Sequence, residues 1–303
     1  MVEGDAVMAE LKATGHDRAF NIVNSAILGI VLLTALYPLY FIVIASVSDP
    51  DHVAMGSVWL IPKGLNFEGY KSIFNDPVIW SGYKNSLIYT SLGTLINISV
   101  TILAAYALSR RDLVGKNVLM FLFTFTMFFS GGLIPTYLLV RNLGLIDRIG
   151  AMVLPNALSV YYLIIARTFF ATSLPDEIRE AAVIDGCSNT RFFRSVVLPL
   201  SKAIIAVLAL FYAVSHWNSY FNAMIYMRHE DKYPLQLVLR GILLQNELRE
   251  DMTDIIGDAS EIQRKVDLIK YGIIIVASLP VLIAYPFAQR YFIKGVMIGS
   301  IKG

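Results

Sequence analysis

Charged side chains are scarce in this sequence. Asp, Glu, Lys and Arg make up 16% of its 303 residues, whereas soluble domains average about 25%. Hydrophobic residues make up 56%, and the mean hydropathy is +0.61. This composition argues against an ordinary soluble domain and indicates a membrane protein. The formal net charge of +2 gives no reason to expect a nucleic-acid partner.

Cysteine and the common catalytic motifs are almost or wholly missing. The one cysteine, Cys187, excludes an intramolecular disulfide framework and a cysteine metal cluster. There is no G-x-x-x-x-G-K-S/T motif, so we expect no P-loop nucleotide site in this chain. There is also no H-E-x-x-H or G-x-S-x-G, and the four histidines are scattered. An enzyme is therefore the least favoured class, and we expect no metal and no cofactor here.

Six stretches without Asp, Glu, Lys or Arg predict six membrane-spanning helices. They are 18 to 30 residues long, close to the about 20 residues that a spanning helix needs. These stretches are 19–48, 85–109, 117–140, 149–166, 203–227 and 271–289. An even number of spans places both termini on the same side of the membrane.

The distribution of Lys and Arg predicts the orientation. The side with the termini carries 13 of them and the other side 12, of which seven lie in the single segment 228–270. A segment of this length translocates with little regard to charge, so the termini are predicted to be cytoplasmic. The predicted organisation is a cytoplasmic segment 1–20, a six-span domain 21–293 and a cytoplasmic tail 294–303. Within the domain, the outer segments are 49–84 and 228–270, and a cytoplasmic segment is 173–200. Apolar residues spaced by three and four predict that the larger outer segment is partly helical.

Glycine and proline interrupt three of the predicted spans. The interruptions are Ser130-Gly131-Gly132 with Pro135 in the third, Pro155-Asn156 in the fourth, and Pro280 with Pro286 in the sixth. Broken helices occur at membrane depth where a cavity or a packed partner receives them. Kinked helices with a purely structural role are the alternative at each place.

Polar residues within the spans are neutral. The absence of a carboxylate disfavours an ion-coupled secondary sugar carrier, which is the alternative function. His216 lies in the fifth stretch, where we favour a packing role over a proton relay. Amide, hydroxyl and aromatic groups bind sugars, although helix packing also uses such groups. The candidate substrate path is therefore Trp217, Asn218, Tyr220 and Asn222.

The segment between the fourth and fifth stretches is predicted to form two short helices. Ser173 matches a helix-capping pattern, and Gly186 is expected to end the first helix after about three turns, too few to cross a bilayer. The second helix is expected to begin at Ser188 or Asn189 and to end at Pro199.

Residues of this segment match the coupling motif of permease subunits of bacterial ABC importers. The matching residues are Glu180, Ala181, Ala182, Asp185, Gly186, Leu198 and Pro199. On this motif the chain resembles the maltose-type carbohydrate permeases, with Ala203 standing where many of them have a second proline. An amphipathic surface helix between two spans is the alternative. Residues 130–145 and 233–244 resemble the subgroup for oligosaccharides and uronides, which includes permeases of alginate oligosaccharide importers.

The resemblance implies an all-α membrane protein with six transmembrane helices, the type I ABC importer permease fold and a cytoplasmic coupling helix. It implies a place in the bacterial cytoplasmic membrane and four kinds of partner. These are a second homologous permease, two copies of a cytoplasmic ATPase subunit, an extracytoplasmic solute-binding protein and an oligosaccharide. ATP and Mg would be held by the ATPase subunits.

Overall fold

The computed structural model describes residues 15–250 and 259–300, and this part of the chain is helical throughout its regular structure. The helices are α1 Gly15–Ser46, α2 Pro50–Ala54, α3 Glu68–Asn75, α4 Pro77–Ser109, α5 Lys116–Phe128, α6 Leu133–Asn142, α7 Ile149–Val153, α8 Val160–Ser173, α9 Asp176–Ile184, α10 Asn189–Phe192, α11 Leu198–Leu200, α12 Lys202–Trp217, α13 Phe221–Tyr226, α14 Leu235–Glu250 and α15 Ala259–Ser300. A π-helical turn, Phe193–Val197, joins α10 to α11, and a 3-10 turn, Glu230–Lys232, precedes α14. Most of the predicted segment 1–20 and the end of the predicted tail 294–303 lie outside the described residues.

Three helical regions are long and apolar enough to cross a membrane: Ala19–Ser46, Pro77–Ser109 and Asp267–Pro286. Two bent pairs bring the number to five if each pair is counted as one span. The pairs are α5 with α6, bent by 113°, and α10–α11 with α12, bent by 76°. By length and composition the described residues therefore support up to five spans, and the sixth stays a prediction.

The fourth predicted span, 149–166, is not one helix. It is divided between α7 and α8, and the chain between them contains Pro155, which has no N–H donor and disfavours helical geometry in the residue before it. Helix α8 has 14 residues, which span about 21 Å, less than the thickness of a bilayer core. The fifth stretch is divided as well, because α12 ends at Trp217 and α13 begins at Phe221.

The predicted interruptions in the third and sixth spans have different outcomes. Gly132 has a φ of 83° and precedes α6, so the Ser130-Gly131-Gly132 run breaks the third span as expected. Helix α15, in contrast, continues through both Pro280 and Pro286.

Helix α4 lies at the centre of the packing. Its buried residues recur every three or four positions along one face, as expected for a helix with a single buried stripe. Toward its end, Ile102, Ala105 and Leu108 form a core with α8 and α12. Nearer its start, Ile79 joins a second cluster with α3, α14 and α15. A face of small residues, including Gly82 and Gly93, lets neighbouring helices approach closely.

Helix α1 is attached to the rest of the chain at one end only. Its apolar side chains from Phe20 to Leu36 are largely exposed, whereas Ile44 and Ala45 are buried. Near that buried end, the ring of Phe41 meets the edge of Tyr271 on α15 with their centroids 6.0 Å apart. Most of α1 therefore presents an unpartnered apolar surface within the described chain.

Candidate functional sites

Helix α9, which is predicted to couple the chain to a partner, begins two residues later than its capping pattern indicates. Ser173 is the last residue of α8 and does not cap α9, so that part of the prediction is wrong. Pro175 occupies the N-cap position without a side-chain hydrogen bond. Asp176 and Glu177 lie in the first turn, where the helix dipole favours negative charge.

The C-terminus of α9 is a Schellman motif. Gly186 has a φ of 71°, a conformation that glycine adopts without steric cost. Its N–H donates to Val183 O at 3.0 Å, and the N–H of Cys187 donates to Ala182 O at 2.8 Å. Ala182 and Cys187 also pack, partly buried, against the core formed by α4, α8 and α12. Gly186 therefore ends the helix as predicted, and Cys187 packs against the core.

The outer face of α9 is exposed. Val183 is 57% exposed and Ile184 85% exposed, and Ala181 and Asp185 are exposed as well. The carboxylate of Glu180 has no ion-pair or hydrogen-bond partner among the described residues. This face thus combines exposed apolar side chains with a carboxylate that has no partner among the described residues.

Ion pairs fix the inner side of α9 to the loop that follows α4. Arg179 lies 3.3 Å from Asp112, and Arg111 lies 2.9 Å from Asp176. Asp112 also accepts hydrogen bonds from both Nε and Nη2 of Arg110. The hydrogen bonds from Arg110, together with the positive charge of Arg110 and Arg179, lower the pKa of Asp112 to about 2. The loop and α9 are thus held together by charged groups.

The second half of the predicted coupling segment is longer than expected. Ser188 caps α10 by accepting a hydrogen bond from the N–H of Arg191, as the sequence predicts. Pro199 does not end the helix, because it lies in the first turn of α11, where a proline is tolerated. The helix ends after Leu200, and the chain then bends at Ser201. Leu198 is half-buried against the core and Pro199 is exposed.

A cavity of about 380 Å³ lies where the fourth and fifth predicted spans are interrupted. Its polar lining comprises Asn97, Asn156, Ser159, Tyr212, Ser215, His216, Ser219 and Asn222. Among the described residues that line it there is no Asp, Glu, Lys or Arg. The breaks in both spans therefore open onto a neutral polar cavity.

A hydrogen-bond network orders one wall of this cavity. Because Asn97 Oδ1 can only accept, His216 carries its proton on Nε2 and donates to it at 2.7 Å. The amide of Asn97 donates in turn to Asn156 O at 2.5 Å. Beside them, the hydroxyl of Tyr212 lies 2.7 Å from Thr101 Oγ1 and accepts from the N–H of Ser159 at 3.2 Å. These side chains are held in place by one another.

The four residues of the predicted substrate path do not lie together. Asn222 lines the cavity. Trp217 is buried, and its indole N–H donates to Ala277 O at 3.1 Å. Asn218 is exposed at the end of α12, and the ring of Tyr220 lies under the guanidinium of Arg240, 5.0 Å from its centroid. Of the other polar lining residues, Asn156 and His216 are noted in the sequence but not as part of the path, and Asn97 is not singled out.

Asp147 joins the connection that follows α6 to the one that precedes α14. It follows α6 and has a φ of 61°. Its carboxylate accepts from the N–H of Arg228 at 3.0 Å, from His229 Nδ1 at 2.6 Å and from Lys232 Nζ at 2.5 Å. The hydrogen bond from Lys232, followed by that from Arg228, holds the pKa of Asp147 far below its usual range.

Comparisons with known proteins place the chain in a family, although no family model matches it. Protein LplC of Bacillus subtilis is 39% identical over 299 residues, which cover 98% of this chain and 100% of LplC. The polygalacturonan/rhamnogalacturonan transport system permease protein YtcP of Bacillus subtilis is 39% identical over 288 residues, which cover 95% of this chain and 99% of YtcP.

A solved structure gives the same result. A chain in the crystal structure of a bacterial ABC transporter involved in the import of the acidic polysaccharide alginate superposes with a TM-score of 0.83 at 33% identity. The match covers 92% of this chain and 98% of that one. The fold and the cavity define a multi-pass α-helical subunit of a membrane transporter. The chain belongs to the carbohydrate permease family of ABC importers.

Proposed function

We propose that the chain, with a second permease, forms the path for an oligosaccharide containing uronic acids in a bacterial cytoplasmic membrane. The observation that carries the proposal is the near full-length similarity to YtcP and to the alginate importer chain, whose names both refer to acidic polysaccharides. The neutral cavity supports it, because amide, hydroxyl and aromatic groups bind sugar hydroxyls. An acidic sugar would meet no carboxylate among the described residues that line the cavity.

Helix α9 is proposed to be the coupling helix on the cytoplasmic side, with both termini on that side and six spans in all. Its exposed face would contact an ATPase subunit through Glu180 and the small residues beside it. The full proposed set is Glu180, Ala181, Ala182, Asp185, Gly186, Leu198 and Pro199. The partner ATPase subunits would hold ATP and Mg and perform the hydrolysis. The ion pairs of Arg111 and Arg179 would pass a movement of α9 to α4 and α5.

The exposed apolar side chains of α1 are proposed to face the second permease or lipid. The outer segments 49–84 and 228–270 are proposed to dock the solute-binding protein. In support, a groove of about 450 Å³ with Asp76, Glu230 and Arg240 in its walls opens between α14 and the start of α4. Residues 251–258 of this segment lie outside the described part of the chain.

The proposal is tested with the complex of both permeases and the ATPase subunits in proteoliposomes. A solute-binding protein loaded with a uronic-acid oligosaccharide should stimulate ATP hydrolysis and drive uptake, whereas a neutral oligosaccharide should not. Sugar uptake by the permeases without ATPase subunits, driven by an ion gradient, would establish the secondary carrier instead. Stimulation by the neutral sugar alone would contradict the proposed substrate class.

A further inference from the structure

A second cavity, of about 250 Å³, lies between the ends of α4 and α8 and the beginning of α9. It is distinct from the neutral cavity and shares no lining residue with it. Its lining is dominated by cationic groups, namely Arg110, Arg111, Lys116, Arg167 and Arg179. Phe170 and Leu174 contribute an apolar wall. We call this site the basic cavity.

Three of these five cations already have carboxylate partners. Arg110 and Arg179 share Asp112, and Arg111 pairs with Asp176. The two acidic groups thus compensate two of the five positive charges. The low pKa of Asp112 shows that its charge is fully present at neutral pH, so protonation does not change this balance.

The remaining two cations, Lys116 and Arg167, have only backbone acceptors in the described chain. Lys116 Nζ donates to Arg110 O and Arg167 Nε donates to Leu108 O, each at 3.1 Å. Both side chains are half-buried. Two half-buried cations without a counter-charge give the cavity a net positive charge, which favours an anion there.

Tyr106 supplies a further unused donor. Its side chain lines the basic cavity. The pKa of Arg110 is raised by Asp112 and, to a smaller extent, by the nearby shielded hydroxyl oxygen of Tyr106, whose O–H has no acceptor among the described residues. Shielded hydroxyls are normally paired. A hydroxyl beside an ammonium and a guanidinium matches the donor set that binds phosphate oxygens.

The position and size of the basic cavity fit a phosphate group at the membrane surface. The cavity lies where the apolar helix α4 ends and where α8 ends, so it is level with the region of lipid head groups. A volume of about 250 Å³ exceeds the roughly 30 Å³ share of one water several-fold, which leaves room for a phosphate. Its apolar wall would face the adjoining acyl region.

We infer that the basic cavity binds a phosphate group, contributed by an anionic phospholipid or by free phosphate, between Lys116, Arg167 and Tyr106. The bound group would bridge α4, α5 and α8 directly beneath α9. It would therefore stabilise the position of α9 relative to the spans. The phosphate site itself does not depend on the proposed function, whereas the role of α9 in contacting an ATPase subunit does.

The test uses the complete transporter complex, purified and delipidated in detergent. Phosphatidylglycerol, phosphatidylcholine and inorganic phosphate are added separately, and binding is followed by native mass spectrometry and by the melting temperature. We expect phosphatidylglycerol or inorganic phosphate to bind and raise the melting temperature, and phosphatidylcholine to do neither. The arm that responds identifies the source of the phosphate.

Variants locate the site. Lys116→Gln and Arg167→Gln each remove a charged donor. We expect each change to weaken binding of the anion that bound the unmodified complex by about tenfold or more. Tyr106→Phe keeps the shape of the wall and should weaken binding by a smaller factor. Arg194→Gln is the matched control, because Arg194 is an exposed arginine of the π-helical turn that does not line the cavity. This control should bind as the unmodified complex does.

Equal binding in all four variants would overturn the inference. So would loss of the ATPase subunits from Lys116→Gln and Arg167→Gln with anion binding unchanged, since the cavity would then receive an acidic side chain of that partner. Neither sugar nor ATP is present in the binding measurement. Failure of sugar-stimulated hydrolysis would therefore count against the proposed function and leave this result standing.

Discussion

The imidazole of His216 lies directly over the backbone of Gly93. A Cβ built on Gly93 would fall 2.7 Å from Cδ2 of the ring and nearer still to Nε2. Helices α4 and α12 can approach this closely only because residue 93 has no side chain. The contact also aims the Nε2–H of His216 at Asn97 Oδ1.

Gly93→Ala should therefore destabilise the protein by about 1–3 kcal/mol through overpacking. The melting temperature of the purified complex measures this effect. Gly29→Ala is the control, because Gly29 is also within a long helix but has no described residue of another element within 4 Å of its Cβ position. A melting temperature lowered equally by both changes would show that the contact with His216 is not the cause.

The neutral cavity gives a second prediction about the substrate path. Asn222→Ala removes an amide that lines the cavity, and we expect the half-saturating sugar concentration for uptake to rise about fivefold or more, as for the loss of about 1 kcal/mol of hydrogen bonding. Asn218→Ala changes an exposed amide outside the cavity lining and should have little effect. The reverse order of effects would move the path away from the cavity.

The end of α9 predicts a specific pattern at residue 186. Gly186→Asp places a residue with a Cβ in the left-handed region and a negative charge at the C-terminus of the helix, at a cost of about 1 kcal/mol or more, whereas Gly186→Asn adds no charge, and asparagine adopts this conformation. We expect the first variant to uncouple ATP hydrolysis from transport, and the second to retain most coupling. Glu180→Ala should weaken co-purification of the ATPase subunits. Normal coupling and co-purification in Gly186→Asp and Glu180→Ala would exclude α9 as the coupling element.

The carboxylate of Asp112 predicts an acid-sensitive contribution to stability. Its pKa is lowered from 3.8 in the unfolded chain to about 2 in the folded protein, so the stabilisation is complete above pH 3.8 and is lost as the pH falls toward about 2. The melting temperature of Asp112→Asn should therefore be lower than that of the unmodified protein at pH 6, and the two should converge as the pH is lowered. A difference that stays constant down to the lowest accessible pH would contradict this assignment.

The orientation can be tested with single cysteines in a Cys187→Ser background. A cysteine in place of Glu180 should react only with a reagent supplied from the cytoplasm, and one in place of Glu230 only with a reagent supplied from outside. Both positions lie in exposed parts of the described chain. Labelling of both from one side would refute the predicted topology.

Local signals in the sequence identified the features whose cause is local. Gly186 ends α9 and the Ser130-Gly131-Gly132 run breaks the third span, because each depends on backbone geometry at those residues alone. The fourth span was misjudged because the charge-free stretch stops before Arg167. Helix α8 continues through this arginine to Ser173, and Arg167 Nε donates to Leu108 O on α4. That contact joins residues 59 positions apart, so the local sequence does not reveal that a charged residue can lie within this helix. For this reason the end of the charge-free stretch at 166 was not the end of α8.

The neutral cavity shows the same limit. His216 and Asn97 are 119 positions apart, and Asn97 is one polar residue within a long apolar stretch. The sequence pointed to polar residues near the end of the fifth span and included Asn222, which lines the cavity. The sequence could not show that Asn222 lines the cavity and Trp217 does not. Only the packing of α15 shows that the indole N–H of Trp217 already donates to Ala277 O.

The π-helical turn Phe193–Val197 sets the length of the connection between α10 and the bend at Ser201. A π turn contains about one residue more than an α turn, so deleting Ser195 would convert it to a regular α turn and keep the residues on either side in register. Phe192, which is 5% exposed in the core, would then still face α4 and α8. A deletion within the regular helix α12, in contrast, would rotate everything before it by about 100° around the axis. The loss of one residue should consequently be tolerated better in the π-helical turn than in α12.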